Sequence, residues 1–233
     1  MLKVALLGKA AMVLSFDVVP DAISEHDDWH THEHLPERLS IPGFLRGSRW
    51  VALSGQPRYF VMYEVEELGT LASAAYLERL NHPTPWTAKM MTHYRGMARA
   101  FCNVTRSFGL GIGHVGLLIR FRPGPGKEIA LREWLEKELP ALPAKAGLAS
   151  VHLFEAGLAP QITNEQRIRG KDATLDFALL VTGYGAESVE TLTKADLGEQ
   201  EFERHGAAGI SSGIYQRVYS LTDRELSTPG AKR

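Results

Sequence analysis

The stretch Trp29-His30-Thr31-His32-Glu33-His34-Leu35-Pro36, running on to Ile41-Pro42-Gly43-Phe44, sets three imidazoles and a carboxylate beside an indole and ends in a chain reversal. Its frame returns 104 residues later: Leu35 and Pro36 correspond to Leu139 and Pro140, Gly43 to Gly147 and Trp50 to Phe154, while Glu138 stands in place of His34. Matching element order around the two copies makes an internal duplication the expected plan, with the chemistry kept in the first.

Working outward from the first copy, Met12, Leu14, Phe16 and Val18 alternate with smaller or polar residues and predict a half-buried strand over 11–19. Pro20-Asp21 opens a helix expected to reach residue 34; Pro36 kinks or restarts it, and Pro42-Gly43 ends it. Strands over 44–53 and 58–65 join at Ser54-Gly55-Gln56-Pro57 as a hairpin. A helix over 68–80, an inserted segment over 81–99 and a strand over 100–108 complete a βαββαβ unit. The second copy repeats the order: strand 115–121, helix 127–139, strands 148–154 and 175–182, helix 188–202, strand 214–221. Its long polar insertion, 157–173, has the length of a functional or disordered loop. The glycines at 109, 111 and 113 read as the hinge between copies. The expected division is therefore 1–110, an active half; 111–225, a degenerate half; and 226–233, a frayed tail.

A βαββαβ unit forms a four-stranded antiparallel sheet with both helices on one face, and the other, apolar face needs cover. A duplicated chain supplies it by packing its two sheets face to face, so the expected fold is α+β, two βαββαβ repeats with their antiparallel sheets against each other.

The totals narrow the functional classes. The chain has 233 residues, 44% hydrophobic and 23% charged, which suits one large globular domain or two small ones. A formal charge of −1 and a pI near 6.8 give no field to gather nucleic acid or an anionic membrane. Cys102 is a single cysteine in an expected strand, read as a buried thiol; it leaves no disulfide framework and no thiolate cluster, so cytoplasmic location is expected. The apolar start of the chain is interrupted at Lys9 and lacks a small-residue cleavage site, so no signal peptide is expected. No run approaches the roughly 20 apolar residues of a membrane span.

With Glu33-His34-Leu35-Pro36 and Pro42-Gly43-Phe44 inside two βαββαβ units, the chain resembles the dimeric α/β-barrel superfamily of ferredoxin-like proteins, fused in tandem. The motif itself resembles the EthD-like branch, whose members carry a His-x-Pro motif at the end of the first helix. The element order covers nearly the whole chain, the motif about fifteen residues. The resemblance implies a ligand cavity between sheet and helices, often lined by that histidine. Its relatives include lactone isomerases, polyketide cyclases, cofactor-free monooxygenases, haem peroxidases and proteins without known activity, so the fold leaves the function open.

At 100° per residue, His26, His30, Glu33, His34 and Glu37 share roughly a 100° arc of an ideal helix, and His32 lies off it. The stripe as a whole reads as a solvated helix face, with His26 and His30 as surface positions. The resemblance singles out His34, whose imidazole titrates near neutrality and suits a general acid/base, with Glu33 to orient it. Trp29, His30, Arg38, Trp50, Tyr63 and Trp86 are the candidates for substrate contact; aromatic residues crowd the first copy, pointing to an apolar or aromatic ligand. Arg38 is placed to pair with Glu33 or Glu37, or to hold a substrate carboxylate. His93, Tyr94 and Arg95 follow the Trp86 loop and are placed to close the pocket. His30 and His34 at i, i+4, with Glu33 or Glu37, have permissive metal spacing without a distant partner, and His114, His152 and His205 lack a haem motif, so neither metal nor cofactor is expected.

The expected function is proton-transfer chemistry by a small-molecule enzyme without a bound cofactor, of isomerase, cyclase, lyase or cofactor-free oxygenase type, on an apolar carbonyl-bearing substrate. The alternatives are a non-catalytic or stress-related binder using the same pocket, and a metal- or haem-dependent enzyme. Neither a nucleic-acid nor a membrane partner is expected; a homodimer is possible.

Overall fold

The computed structural model describes residues 5–226, so the expected tail, from residue 227 on, lies outside the described residues. Eight strands close into one barrel in the order β1-β3-β2-β8-β5-β7-β6-β4, every neighbouring pair antiparallel. They are β1 (Ala10–Val18), β2 (Phe44–Gly55), β3 (Tyr59–Val65), β4 (Tyr94–Gly109), β5 (Val115–Pro123), β6 (Leu148–Leu158), β7 (Phe177–Gly183) and β8 (Ala207–Thr222). The element order of the first half is repeated in the second, and an α+β fold of ferredoxin-like halves is what forms.

Two strands run far beyond their expected limits, and the sheet topology explains why. The N-terminal part of β4 pairs with β1 inside its own half, from Tyr94 to Asn103, and its C-terminal part pairs with β6 of the other half, from Phe101 to Gly109. β8 does the same with β5 and then with β2. These two shared strands seal the edges where the halves meet, leaving no open sheet edge in the barrel.

Because the strands are covered on both faces, β1 is not the half-buried strand its alternation suggested. Ala10, Met12 and Phe16 pack toward the helices of the first half, while Ala11 and Val13 face into the barrel with Trp50, Phe60, Met62, Leu118, Phe154, Leu180 and Tyr215. Gly116 sits where a Cβ would come within 3.1 Å of the Trp50 ring, so its missing side chain makes room for the indole. Trp50 is therefore a barrel-core residue and not a wall of the first-half cavity, which corrects its place among the substrate contacts.

The residues matched at the 104-residue offset occupy corresponding places. Leu35 and Leu139 are both fully buried, Trp50 and Phe154 both lie inside the barrel, and Gly43 and Gly147 both adopt positive φ, +88° and +85°, which suits glycine at the end of a helical segment.

The expected first helix is broken into pieces. A 3₁₀ turn (Pro20–Ala22) leads into α1 (Ile23–Trp29), a π turn (His30–His34) and α2 (Leu35–Leu39). Pro36 has no N–H for the carbonyl of His32 and its ring crowds that oxygen, and the widened turn just before it relieves the clash. The rest of the first helical layer is a 3₁₀ turn (Leu68–Ala72), α3 (Ala74–Asn81), which Ser73 caps by accepting the Tyr76 N–H, and α4 (Pro85–Met91) in the inserted segment. In the second half come α5 (Glu128–Glu138), a 3₁₀ turn (Leu139–Ala144), α6 (Asn164–Arg169), α7 (Ala186–Lys194), α8 (Glu199–Arg204) and the short α9 (Asp223–Leu226). The single helix expected over 188–202 is thus two, parted near Gly198. The insertion at 157–173 is ordered: it carries α6, and Ala173 bonds to β4 by its N–H to the Met97 carbonyl and its carbonyl from the Arg99 N–H. That contact lays a second-half segment across the first half.

Candidate active site

The π turn sets the geometry of the site. It aligns His30 and His34 along one edge of the segment, ring centroids 5.5 Å apart, and the Trp29 ring lies 4.4 Å from that of His34. His26 continues the line one turn earlier, 5.5 Å from His30. His26 and His30 are not the surface residues expected of a solvated stripe: His26 is fully buried and His30 is 2% exposed, buried like His34 at 8%. Helix angle alone could not reveal this, because the same arc faces solvent or protein depending on what packs against it, and here it turns onto the sheet, where Tyr59 and Tyr94 meet His26 and Tyr63 meets His30.

His30, His34 and Arg38 line a small cavity of about 30 Å³, room for one or two waters. Its floor is Met12, Phe16, Val61 and Tyr63 from β1 and β3, and Tyr94 and Arg99 from β4; its roof includes Tyr76 of α3 and Glu165 and Arg169 of α6. The Tyr63 hydroxyl lies 3.4 Å from His30 Nε2. Both His30 Nδ1 and His34 Nδ1 are buried without a hydrogen-bond partner. Burial first, and then the positive charge of neighbouring groups, Arg38 among them, hold both imidazoles well below their ordinary pKa, so both are neutral at pH 7. Burial also raises the Tyr63, Tyr76 and Tyr94 phenols, keeping them protonated.

The remaining candidates fall away from the cavity. Glu33 does not orient His34: its Oε1 accepts from Trp29 Nε1 at 3.1 Å, Thr84 Oγ1 at 2.6 Å and Thr87 Oγ1 at 3.2 Å, tying α1 to α4. Trp29 is engaged in that same network, and Trp86 donates to Glu25 at the helix surface. His26 is a buttress, its nitrogens against Asp27 and the Tyr94 hydroxyl, both at 3.2 Å. Of the three residues expected to close the pocket, only Tyr94 lines it.

Arg38 is neither partnered with Glu33 nor free for a substrate carboxylate. Its guanidinium donates to Glu165 of α6 and, at 3.1 Å, to Glu37, and the Arg38–Glu165 pair is almost wholly excluded from water. The carboxylates hold the Arg38 cation charged against its burial, while burial pushes the Glu37 carboxyl upward.

Reading the sequence missed Glu165, Arg169, Asp172 and Arg99. Two signals were present: Arg99 interrupts the apolar run Met97-Ala98-Arg99-Ala100-Phe101, and Glu165 and Arg169 stand i, i+4 in an otherwise patternless insertion. Neither tells that a segment of one half covers the other.

Among the described residues no group of three or more His, Cys, Asp and Glu converges; Glu33 and Glu37 are engaged as described. His152, fully buried in β6, has its two nitrogens against Ser107 and Ser150 at 2.8 and 3.0 Å, and burial takes its pKa down to about 3. His205 stacks on Trp134 with centroids 4.6 Å apart. Cys102 faces the barrel interior, its thiol pushed up to about 12 by burial, an inert group.

No protein-family model matches the sequence, and no curated protein matches it. Solved structures do. A structure described as an anthrone oxidase-like protein superposes with a TM-score of 0.69 at 12% identity, over 96% of this chain and 97% of that one. A candidate monooxygenase from Fusobacterium nucleatum subsp. nucleatum gives 0.61 at 10% identity, over 93% and 96%. A second, from Lactobacillus acidophilus, gives 0.51 at 9%, over 92% and 96%. At these identities the likeness is one of fold, and it spans nearly the whole chain of each: this protein has the two-unit ferredoxin-like barrel fold.

Proposed function

We propose that the first-half cavity is a proton-transfer site for a small apolar substrate bearing a carbonyl or phenol, with His34 as the acid/base. One observation carries the reading: two neutral imidazoles, His30 and His34, line a small buried cavity with a ring nitrogen each left without a partner. A buried polar atom without a hydrogen bond costs about 1–3 kcal/mol, so a merely structural role would favour apolar residues here.

A neutral imidazole accepts a proton from an acidic C–H or O–H of the substrate. The negative charge left on the substrate oxygen is met by the Tyr63 hydroxyl, and the Arg38 cation nearby steadies the ion pair formed. With water excluded, these interactions act at low dielectric. Isomerisation or cyclisation would return the proton at another position; in a cofactor-free oxygenation, the substrate anion would pass its electrons to dioxygen. Structural likeness to an anthrone oxidase-like protein and to candidate monooxygenases supports the oxygenation version.

A panel of enolisable and phenolic carbonyl compounds, assayed for oxygen uptake and for product, tests this. His34→Ala should reduce turnover of any compound found by about 10²–10⁴-fold. Turnover within a few-fold of wild type would show that His34 is not the base.

A further inference from the structure

The carboxylates and guanidiniums around the cavity are unevenly shared. Arg38 has two acidic partners, Glu165 and Glu37. Arg99 and Arg169 have one between them, Asp172, and Arg169 takes it in a fork, Nε to Oδ1 at 2.9 Å and Nη2 to Oδ2 at 2.7 Å. Arg99 Nε lies 2.9 Å from the same Oδ2, but its N–H is not directed there and remains unbonded; its other contacts are a 3.4 Å hydrogen bond from Nη2 to Gln166 and the Phe101 ring. A guanidinium carries five donors, and this one is 3% exposed, so water does not complete the set.

Arg99 also borders a second space. Between the chain at Ala159, Pro160 and Ile162 and the chain from Gly170 to Thr174 lies a cleft of about 590 Å³, within the usual size of ligand sites. Its walls are largely apolar, with Arg167 and Lys171 as the other cations, and Asp172, already forked by Arg169, as the acid in its lining. Arg99 lines both this cleft and the His34 cavity.

We propose that the cleft under the 157–173 segment binds an apolar organic acid, with Arg99 as the anchor of its carboxylate. An acid held there sits at the border of the two spaces, with its carboxylate against Arg99 and its apolar body along Pro160, Ile162 and Ala173. The inference rests on the reading of the cavity as the reaction site and narrows its substrate to carboxylates. Arg38, its charge already met twice, does not take this part.

Titration calorimetry with 2-naphthoate, and with its neutral counterpart 2-naphthamide, tests the anchor without any need for turnover. Naphthoate should bind saturably; Arg99→Gln should weaken it by about tenfold or more, and naphthamide should bind more weakly and be indifferent to the substitution. Ile162→Glu, at a wall residue 71% exposed and therefore safe for folding, should also weaken naphthoate by placing a like charge in the cleft, and it decides the matter if Arg99→Gln does not fold. Failure of naphthoate to bind, equal affinity for the amide, or indifference to these variants overturns the proposal. Such results would leave the His34 turnover test untouched, while a negative His34 test would leave the naphthoate result standing.

Discussion

The two halves of this barrel share a backbone plan and fill it in opposite ways. At the 104-residue offset His30, His34 and Arg38 correspond to Trp134, Glu138 and Leu142. In the second half Trp134 packs edge-on against Phe202, Phe202 meets Phe121, and Leu131, Leu135, Leu139 and Leu142 complete an apolar core. In the first half the same helix face carries imidazoles and a guanidinium around a small cavity. The second half shows that the plan does not require polar groups there. The first half keeps them despite their desolvation, and the insertion of the second half supplies the carboxylate that makes Arg38 tolerable. The apolar half thus also serves as the lid-bearing half.

The contrast can be broken most sharply by catalysis: His34→Ala should lower turnover by about 10²–10⁴-fold, whereas Glu138→Ala at the matching position should leave it unchanged. Equal effects in both halves would refute the assignment of chemistry to one. Next in size is the conversion of one half toward the other. Arg38→Leu, which installs the residue of the Leu142 position, strands Glu165 without its cation and should cost about 3–5 kcal/mol in urea unfolding. Adding Glu165→Leu should recover that loss wholly or in large part, since a buried ion pair replaced by packed apolar groups is often neutral or stabilising. A double variant no better than the single would mean that the pair does more than satisfy itself. In the filled half, Trp134→Ala should cost about 3 kcal/mol through the cavity it opens between Leu131 and Phe202, without changing turnover.

The smallest effect is in the pH dependence. His26, His30 and His34 in the first half have folded pKa values below the ordinary imidazole value, and His152 in the second is down to about 3. A depressed folded pKa means that the unfolded chain binds the proton first. Stability is therefore whole above about pH 6.5 and falls as the pH drops below it, toward each folded value, by about 1.4 kcal/mol per pH unit per imidazole. Urea midpoints between pH 6.5 and 5 should show a slope reduced by about one imidazole in His34→Gln. An unchanged slope would mean that His34 is already protonated in the folded protein.

How much of this was legible beforehand differs by residue. The Leu-Pro and Gly frame was readable because Leu35 and Leu139 must be buried and Gly43 and Gly147 must turn the chain with positive φ, both local demands. His34 stood out because its frame recurred without it. Glu33 was assigned a partner by adjacency, but neighbours in a helix point apart, and Thr84, which caps α4, and Thr87 within it claim its carboxylate. His30 was read as a surface residue because helix angle does not tell which side of the arc meets the sheet, and only the packed barrel sets it against Tyr63 of β3.

The sequence by itself determined the eight strands and their repeated order with helices between them, because hydrophobic period, proline and glycine act over a few residues and leave their pattern in the chain. Only the tertiary structure decided where β4 and β8 begin, since their N-terminal parts are held as strand by β1 and β5 across the sheet. It alone decided that Arg38 belongs to Glu165 and that Arg99 is left short of a partner, because the charge balance of a buried site is a sum over segments that the chain brings together only when the barrel closes.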